Sequence, residues 1–369
     1  MERLIVKAFV KLGLGSPPEW AILLIIGLIA GIVLLVFILL YEGLATYIER
    51  KVAGDIQLRY GPNRVGPYGI LQFVADGLKL FFKEDIIHSQ ADRLLFRVAP
   101  YIVFTGSFVG LAVIPFSAEW CAGRLNVGVL FILATTSLVV AGLAMAGWAQ
   151  ANKWGLLGGM RAVAQIVSYE VAVGIALLVP IIHIGSLDLQ QAVLYQKKGW
   201  GILGWTIFHD PFTFIAFFIY FIAAIAECNR TPFDLPEGES ELVAGYFTEY
   251  TGFRFAFFFM AEYGDMFVVS ALASCLFLGG WHIPFIEDLI KLPILHNILG
   301  SIVLIAKVMV LILIMMWVRW TFPRLRIDQL MALTWKRLIP LGLLMLLLTS
   351  LWDLVFDRKG FFELIGIIK

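Results

Sequence analysis

Residues 20–48 read WAILLIIGLIAGIVLLVFILLYEGLATYI and contain a single charged side chain, Glu42. An α-helix needs about 20 apolar residues to cross about 30 Å of hydrocarbon, so this run is long enough to span a bilayer. Further runs of the same kind lie at residues 94–116, 127–148, 161–184, 211–228, 255–281, 297–319 and 336–356. The pattern predicts an all-α, polytopic membrane protein with eight transmembrane helices.

The overall composition agrees with this prediction and excludes an ordinary soluble domain. Of the 369 residues, 60% are hydrophobic and 15% are charged, and the mean hydropathy is +0.89. The longest polar connection, residues 49–93, is too short for an independent soluble domain. We therefore expect residues 1–369 to form a single membrane domain, in contact with lipid and without a nucleic-acid partner.

Lys and Arg residues are divided unevenly between two sets of loops. The loops after the first, third, fifth and seventh spans hold 16, whereas the two tails and the remaining loops hold 10. Because cytoplasmic loops carry the excess of Lys and Arg, we expect the first set to face the cytoplasm and both termini to face outside. Arg3, Lys7 and Lys11 argue against this orientation, but their spacing predicts a short helix on the outer surface.

The first cytoplasmic loop, residues 49–93, is expected to contain turns and one amphipathic helix. Gly61-Pro62-Asn63 and Gly66-Pro67 exclude a long helix before Pro67. Between residues 70 and 84, polar side chains recur three or four residues apart, and apolar side chains fill the other face. They are Gln72, Asp76, Lys79 and Lys83. The spacing predicts an interfacial helix, either a simple seal for the bundle or a gate for a lipid-soluble ligand.

The loop after the fifth span, residues 228–254, is acidic. Residues 227–265, ECNRTPFDLPEGESELVAGYFTEYTGFRFAFFFMAEYGD, hold eight of the 27 acidic residues. The pattern predicts a short helix after Pro236, GESELVAGYFTEY (238–250), with Glu237, Glu239 and Glu241 around its first turn. Carboxylates there cap free N–H groups and interact favourably with the helix dipole. That structural role leaves other acids unexplained: Glu227, Glu249, Glu262 and Asp265. A carboxylate near the bilayer centre costs about 2.5 to 3.5 kcal/mol, which favours a functional role.

Charged residues within the spans support a functional role. Glu170 follows Arg161 by nine residues, and Glu262 follows Arg254 by eight, so both lie about 12 to 13 Å deep at 1.5 Å per residue. Lys307 lies about 18 Å deep by the same rise. A row of carboxylates that ends near a lysine could exchange protons and respond to a nearby charge. The alternative is a static ion pair, for instance Glu170 with Lys307.

No metal or haem ligand pattern is present in the sequence. Cys121, Cys228 and Cys275 are far apart, and the five histidines all fall in loops or at span ends. They are His88, His183, His209, His282 and His296. We therefore expect no iron–sulfur cluster, zinc site or haem in this chain.

Several motifs resemble those of one family closely. They are ERKVAGDIQLRYGPNRVGPYG (49–69), ADGLKLFFKED (75–85), RAVAQIVSYE (161–170), ECNRTPFDLPEGESELVAG (227–245), FFFMAEY (257–263) and FPRLRIDQLM (322–331). From about residue 49 to 341 the chain resembles the H subunit, also called subunit 1, of the proton-pumping NADH:quinone oxidoreductase, respiratory complex I. Glu42 belongs to none of these motifs.

The resemblance implies a tilted eight-helix subunit of an oxidoreductase, at the joint between its redox arm and its pumping arm. Quinone would be the substrate, and this chain would hold no flavin, haem, cluster or metal. The expected partners are the iron–sulfur subunits of the peripheral arm and the antiporter-like membrane subunits. The expected location is the bacterial cytoplasmic membrane, or the mitochondrial inner membrane for an organellar protein.

The family's functional residues transfer to matching positions of this sequence. Those expected to line the quinone chamber and its entry are Arg50, Asp76, Phe259, Met260 and Arg324. Those expected to form the acidic path are Asp76, Glu170, Glu227, Glu237, Glu239, Glu241, Glu249, Glu262 and Tyr263, with Arg230 pairing within it. Lys307 is added to this path because its predicted depth of about 18 Å places it near the end of the carboxylate row. The mechanism we expect is coupling, in which quinone reduction changes the protonation of the carboxylate row.

Two other functions fit parts of the sequence. A related membrane-bound hydrogenase or dehydrogenase could use a similar subunit with another electron donor, although the full ECNRTPFDLPEGESE motif favours complex I. A stand-alone proton-coupled transporter would also place acids at mid-membrane, but such folds usually show internal repeats, and the sequence has no matching halves.

Overall fold

The structure of the chain, a computed structural model, describes residues 19–197, 201–236, 238–283, 292–358 and 360–364. The predicted surface helix around Arg3, Lys7 and Lys11 lies outside the described residues, as does Glu237. Within these ranges the chain forms helices and no strands, which confirms the all-α prediction.

The α-helices are labelled here in chain order. They are α1 (Glu19–Ile56), α2 (Gln72–Phe82), α3 (Arg93–Gly110), α4 (Gly128–Ala149), α5 (Lys153–Ile184), α6 (Leu189–Gln196), α7 (Pro211–Glu227), α8 (Glu239–Leu242), α9 (Gly252–Phe277), α10 (Pro293–Thr321), α11 (Ile327–Leu333), α12 (Ile339–Phe356) and α13 (Phe361–Leu364). A π-helical turn, Thr334–Leu338, joins α11 to α12.

The long helices match the predicted spans. Among the described residues, seven helical segments are long and apolar enough to cross a membrane. They are Leu23–Ile56, Arg93–Val113, Gly128–Ala149, Lys153–Ile184, Gly252–Phe277, Pro293–Thr321 and Ile327–Leu364. Helix α7 is also apolar but has 17 residues, near the lower limit for a span. Together they account for the eight apolar runs and confirm a polytopic membrane protein.

Local capping residues fix where several spans begin and end. Asp92 accepts a hydrogen bond from the backbone N–H of Leu94 at 3.1 Å at the start of α3, and Asn152 caps α5 in the same way. Helix α5 ends at Gly185, whose φ of +71° ends the helical geometry without strain. These caps define the start of α3 and both ends of α5.

Helices α4 and α5 approach each other closely at two glycines. A Cβ atom on Gly147 would lie 2.9 Å from the Cα of Gly159, so neither position has room for a side chain. Small residues at such contacts let membrane helices pack through their backbones. The closest packing between helices joins α3 to α4 and α9, α4 to α5, and α5 to α7, so these five helices form the centre of the bundle.

The first helix extends further than the sequence predicts. It continues to Ile56 rather than ending near residue 48, so Glu49 and Arg50 belong to the helix and not to the following loop. The predicted turns follow, and α2 begins at Gln72 and packs against α1 and α9. Several apolar side chains of α2 remain exposed: Leu78, Phe81 and Phe82.

The acidic loop contains less helix than expected. Helix α8 covers only Glu239–Leu242, because Val243 adopts a φ of +65°, in the left-handed region that ends a helix. A short 3₁₀ turn, Gly245–Phe247, follows before α9 begins. The segment therefore folds back onto the bundle, where Tyr246 and Phe247 are buried.

Candidate functional site

A buried charge network joins α1, α9, α10 and the segment after α7. Glu49 accepts a 2.6 Å hydrogen bond from the hydroxyl of Tyr263 and forms an ion pair with Arg319. Arg230 lies between two carboxylates, with nitrogens 3.7 Å from Glu49 Oε2 and 3.8 Å from Glu262 Oε2. Its guanidinium also lies 4.3 Å from the centroid of the Tyr263 ring. We call these five side chains the Glu49 network.

The charges of the Glu49 network balance one another. Glu49 and Glu262 offer two negative charges, and Arg230 and Arg319 offer two positive charges. Arg230 is 3% exposed and Glu49 is 5% exposed, so water screens their interactions weakly. Removing one partner would leave a buried charge without compensation. A change of protonation at either carboxylate therefore leaves an arginine charge uncompensated within the network.

A small cavity adjoins the network. Its volume is about 20 Å³, enough for a water molecule. The carboxylates of Glu227, Glu262 and Asp265 line it together with Tyr246, whose hydroxyl donates a 3.2 Å hydrogen bond to Glu262. Thr136 lies beside Glu227, but neither carboxylate oxygen of Glu227 has a partner with hydrogen-bond geometry among the described residues. Three acids from two helices thus share one polar space.

Glu42 continues this row into α1. Both of its carboxylate oxygens are buried and have no hydrogen-bond partner in the described part of the chain. The charged side chain that acts on it is Asp265, which also borders the cavity. The acid that belongs to none of the motifs therefore has an acidic neighbour, and the row extends from the cavity into α1.

The acidic loop carries further polar pairs near the surface. Asp234 accepts a 3.1 Å hydrogen bond from Arg324. Burial raises the pKa of Asp234 to about 6, although Arg324 acts to lower it. Glu241 pairs with Arg161 at 2.6 Å, and Glu249 accepts a 2.9 Å hydrogen bond from Asn152. Through its carboxylates the loop is thus tied to α5, to the connection before α5 and to the segment after α10.

The predicted chamber residues lie at the same end of the bundle. Arg50 of α1 pairs with Asp76 of α2 at 2.6 Å, and Gln72 donates a 3.2 Å hydrogen bond to the same carboxylate. Phe259 and Met260 lie on α9 and are partly exposed. A polar pair and an apolar, aromatic surface on α2 and α9 therefore occur side by side.

Two further predicted residues have direct partners outside these groups. Glu170 accepts a 2.5 Å hydrogen bond from Ser137, and its charge acts on Glu227 of the acidic row. Lys307 donates to the carbonyl oxygens of Leu278 at 2.7 Å and Gly280 at 2.8 Å, just beyond the C-terminal end of α9, where a positive charge favours the helix dipole. The ion pair between Glu170 and Lys307, given above as an example of the static alternative, is absent from the described structure. The described contacts of Lys307 are to backbone carbonyl oxygens and not to a carboxylate of the row, so they do not support its predicted place in the path.

Sequence reasoning missed Glu49, Arg319 and Asp234 as members of the site. Glu49 begins the ERKVAGD motif, but the predicted first span ends just before it. The uninterrupted helical pattern up to Gly54 could have shown that Glu49 lies within the helix. Its pairing with Arg319 joins residues 270 positions apart, which no local pattern contains.

Comparison with known proteins agrees with this architecture. Residues 29–350 match a family model described as NADH dehydrogenase. The chain is 42% identical to the NADH-quinone oxidoreductase H subunit of Anaeromyxobacter dehalogenans, over 94% of this chain and 86% of the relative. It is 48% identical to the H subunit of the same enzyme from Chlorobaculum tepidum, over 86% and 90% of the two chains. It is 46% identical to NADH-quinone oxidoreductase subunit 8 of Rhodothermus marinus over 86% and 94%. The chain therefore belongs to the NADH dehydrogenase family of membrane subunits of respiratory complex I.

Proposed function

We propose that this subunit forms the membrane side of the quinone-binding chamber and the acidic path that couples quinone reduction to proton translocation. The observation that carries this proposal is the cavity lined by Glu227, Glu262 and Asp265. It adjoins a buried network in which Arg230 faces both Glu49 and Glu262. A group of acids around a water-sized space is suited to holding and passing protons.

The chamber is assigned to the surface formed by α2 and the start of α9. A quinone has an apolar tail and a polar head group, so its site needs an apolar surface beside a few polar groups. Leu78, Phe81 and Phe82 offer exposed apolar area, and the Arg50–Asp76 pair offers charge beside it. Arg324, Phe259 and Met260 complete the set that we assign to the chamber and its entry.

The chemistry assigned to this chain is electrostatic. Reduction of a quinone to a quinol takes up two electrons and two protons. Iron–sulfur subunits of the peripheral arm supply the electrons. The negative charge that develops on the head group attracts positive side chains and protons, and so changes the balance of the adjacent carboxylates. Arg230 faces the carboxylates of Glu49 and Glu262. If one of them is protonated, Arg230 is attracted more strongly to the other, which is still charged.

The path is assigned to the loop carboxylates and the buried row together. Asp76, Glu239, Glu241 and Glu249 belong to its outer part, as does Glu237, which lies outside the described residues. Glu170, Glu227, Glu262, Tyr263 and Arg230 belong to its inner part, to which we add Glu49, Asp265 and Glu42. Charge would pass from this row to antiporter-like subunits of the membrane arm.

The orientation is proposed from the distribution of charge. The loops richest in Lys and Arg lie at the acidic-loop end of the bundle, which we assign to the cytoplasm in a bacterial membrane. Both termini then face outside. This places the chamber on the side where a soluble redox arm docks.

A photoreactive quinone with an isoprenoid tail tests the chamber assignment in the assembled complex. We expect cross-linking of this subunit within residues 72–82 or 252–260, and we expect an excess of unmodified quinone to prevent it. The assignment would be overturned if cross-links formed only at the opposite end of the bundle, or if an excess of unmodified quinone did not prevent the labelling.

A further inference from the structure

Two histidines and two aspartates meet at the end of the bundle opposite the acidic loop. His183 lies in the last turn of α5, His209 and Asp210 precede α7, and Asp353 lies on α12. The side chains of His183 and Asp210 are fully buried, and that of Asp353 is 9% exposed. We call these four side chains the His–Asp cluster. It is separate from the acidic row.

The geometry around His183 orients its ring. Its Nε2 atom lies 3.3 Å from Asp210 Oδ2, and its Nδ1 atom lies 2.7 Å from Asp353 Oδ1. Asp210 is itself fixed, because its other oxygen accepts a 2.6 Å hydrogen bond from the backbone N–H of Thr213. A carboxylate on one ring nitrogen is the usual arrangement behind a histidine that binds a metal through the other nitrogen.

The ring of His209 completes a set of ligand atoms. Its centroid lies 4.0 Å from that of His183. One ring nitrogen from each histidine and one oxygen of Asp353 all lie within 4.8 Å of one another. Ligand atoms around a tetrahedral zinc ion lie about 3.3 Å apart, since each bond is about 2 Å long. Small movements of side chains would bring the three atoms to that spacing.

Two polar atoms of the cluster are buried and unsatisfied. His209 Nδ1 and Asp353 Oδ2 have no partner with hydrogen-bond geometry among the described residues. Leaving such atoms unpaired is costly. The groups whose charge acts on His209 are three acids, Asp210, Asp353 and Glu363, and one base, His183. The excess of negative charge favours a bound cation.

We propose that His183, His209 and Asp353 bind a divalent transition metal ion of the zinc class. Asp210 acts as a positioning residue: a proton on Nε2 of His183, which faces Asp210, leaves the lone pair of Nδ1 directed towards Asp353 and the ion. Imidazole nitrogen and carboxylate oxygen are both ligands that such ions accept. The ion would join the ends of α5, α7 and α12. The proposal departs from the expectation that this chain holds no zinc site, which is based on ligand spacing along the sequence, because these ligands come from three distant segments.

Zinc content of the assembled complex tests the proposal. Wild-type and variant complexes are treated with a chelator, equilibrated with Zn²⁺, washed and analysed for zinc per complex. We expect His209→Ala and Asp353→Asn to hold about one zinc ion fewer than the wild type. The matched control is His88→Ala, which lies at the acidic-loop end and is expected to keep the wild-type content. Equal zinc in the wild type and in His209→Ala would overturn the proposal.

A second measurement covers variants that fail to assemble. Anomalous scattering at the zinc absorption edge, from crystals of the wild-type complex equilibrated with Zn²⁺, is expected to show a peak between His183, His209 and Asp353. If no peak appears there, the cluster is an ion pair network in which His183 bridges two carboxylates, and the metal site is excluded.

Discussion

The hydroxyl of Tyr263 donates a 2.6 Å hydrogen bond to Oε2 of Glu49, and so links α9 to α1 within the buried part of the bundle. The same oxygen lies 3.7 Å from Arg230, and the other oxygen of Glu49 pairs with Arg319. One carboxylate therefore holds three partners from three segments. A change of charge near one of these three partners therefore changes the electrostatic field at the other two.

We expect Tyr263→Phe to weaken the coupling without breaking the fold. The variant loses one hydrogen bond to a charged acceptor, about 1.5 to 3 kcal/mol, but keeps the ring beside Arg230. Quinone-linked turnover is expected to fall in assembled complex, while reduction of an artificial acceptor by the flavin arm is unchanged. Tyr101→Phe, at a half-exposed ring, is the control. Equal turnover in both variants would remove Tyr263 from the path.

We expect Asp76→Asn and Arg324→Gln to impair quinone reduction. Asp76 holds Arg50 and Gln72 beside the apolar surface of α2, so its loss disturbs the polar side of the chamber. The measurement is the steady-state rate at varied quinone concentration, with flavin-arm activity as the internal reference. Asp55→Asn, an exposed position near the end of α1, is the matched control. Unchanged quinone kinetics in assembled Asp76→Asn and Arg324→Gln complexes would exclude the chamber assignment.

Asp234 is expected to make stability depend on pH. Its pKa of about 6 lies above the ordinary value of 3.8, so the stabilisation from its protonated form is fully present below the ordinary value. It is lost as pH rises through about 6. The thermal midpoint of wild-type complex relative to Asp234→Asn is therefore expected to fall between about pH 4 and pH 6 and to level off at higher pH.

A second variant distinguishes the titration of Asp234 from the titration of other carboxylates. Arg324 lowers the pKa of Asp234, so Arg324→Gln is expected to move the fall to higher pH. Arg326→Gln, at an exposed neighbour, is expected to leave it in place. A relative midpoint that does not vary with pH would show that Asp234 does not titrate in this range.

Introduced cysteines test the orientation. Native Cys228 is buried, at 2% exposed, and burial raises the pKa of the Cys121 thiol, so both are poor probes. We expect an impermeant thiol reagent to label Leu125→Cys in intact cells. It is expected to label Asp55→Cys only in inverted vesicles. Both positions are exposed in the structure. The reverse pattern would contradict the proposed orientation.

Apolar runs and turn residues predict most of the fold. Spans depend on local hydrophobicity, and Gly61-Pro62 and Gly66-Pro67 exclude helix locally, so both can be predicted from neighbouring residues. The predicted helix after Pro236 is too long, because its end depends on the left-handed conformation of Val243. That conformation is set by packing of the loop on the bundle and not by the residue type.

The acids of the site can be predicted individually, but their grouping cannot. Glu227 and Glu262 stand out in the sequence because charge is costly within a span. Their meeting with Asp265 around one cavity depends on how α7 and α9 pack. The importance of Glu49 depends likewise on Arg319, far along the chain. Position along a single helix predicts depth in the membrane, but it does not predict which residues become neighbours.

Proton translocation by Glu227→Gln complex in sealed proteoliposomes is the decisive measurement for coupling through the acidic row. The substitution keeps the shape of the side chain but removes its charge and exchangeable proton. Pumping and quinone-linked turnover are measured per assembled complex, and NADH reduction of the iron–sulfur clusters confirms that the redox arm is intact. We expect cluster reduction to be retained while turnover and pumping are lost together. Assembled Glu227→Gln complex that pumps at the wild-type rate would contradict coupling through this row.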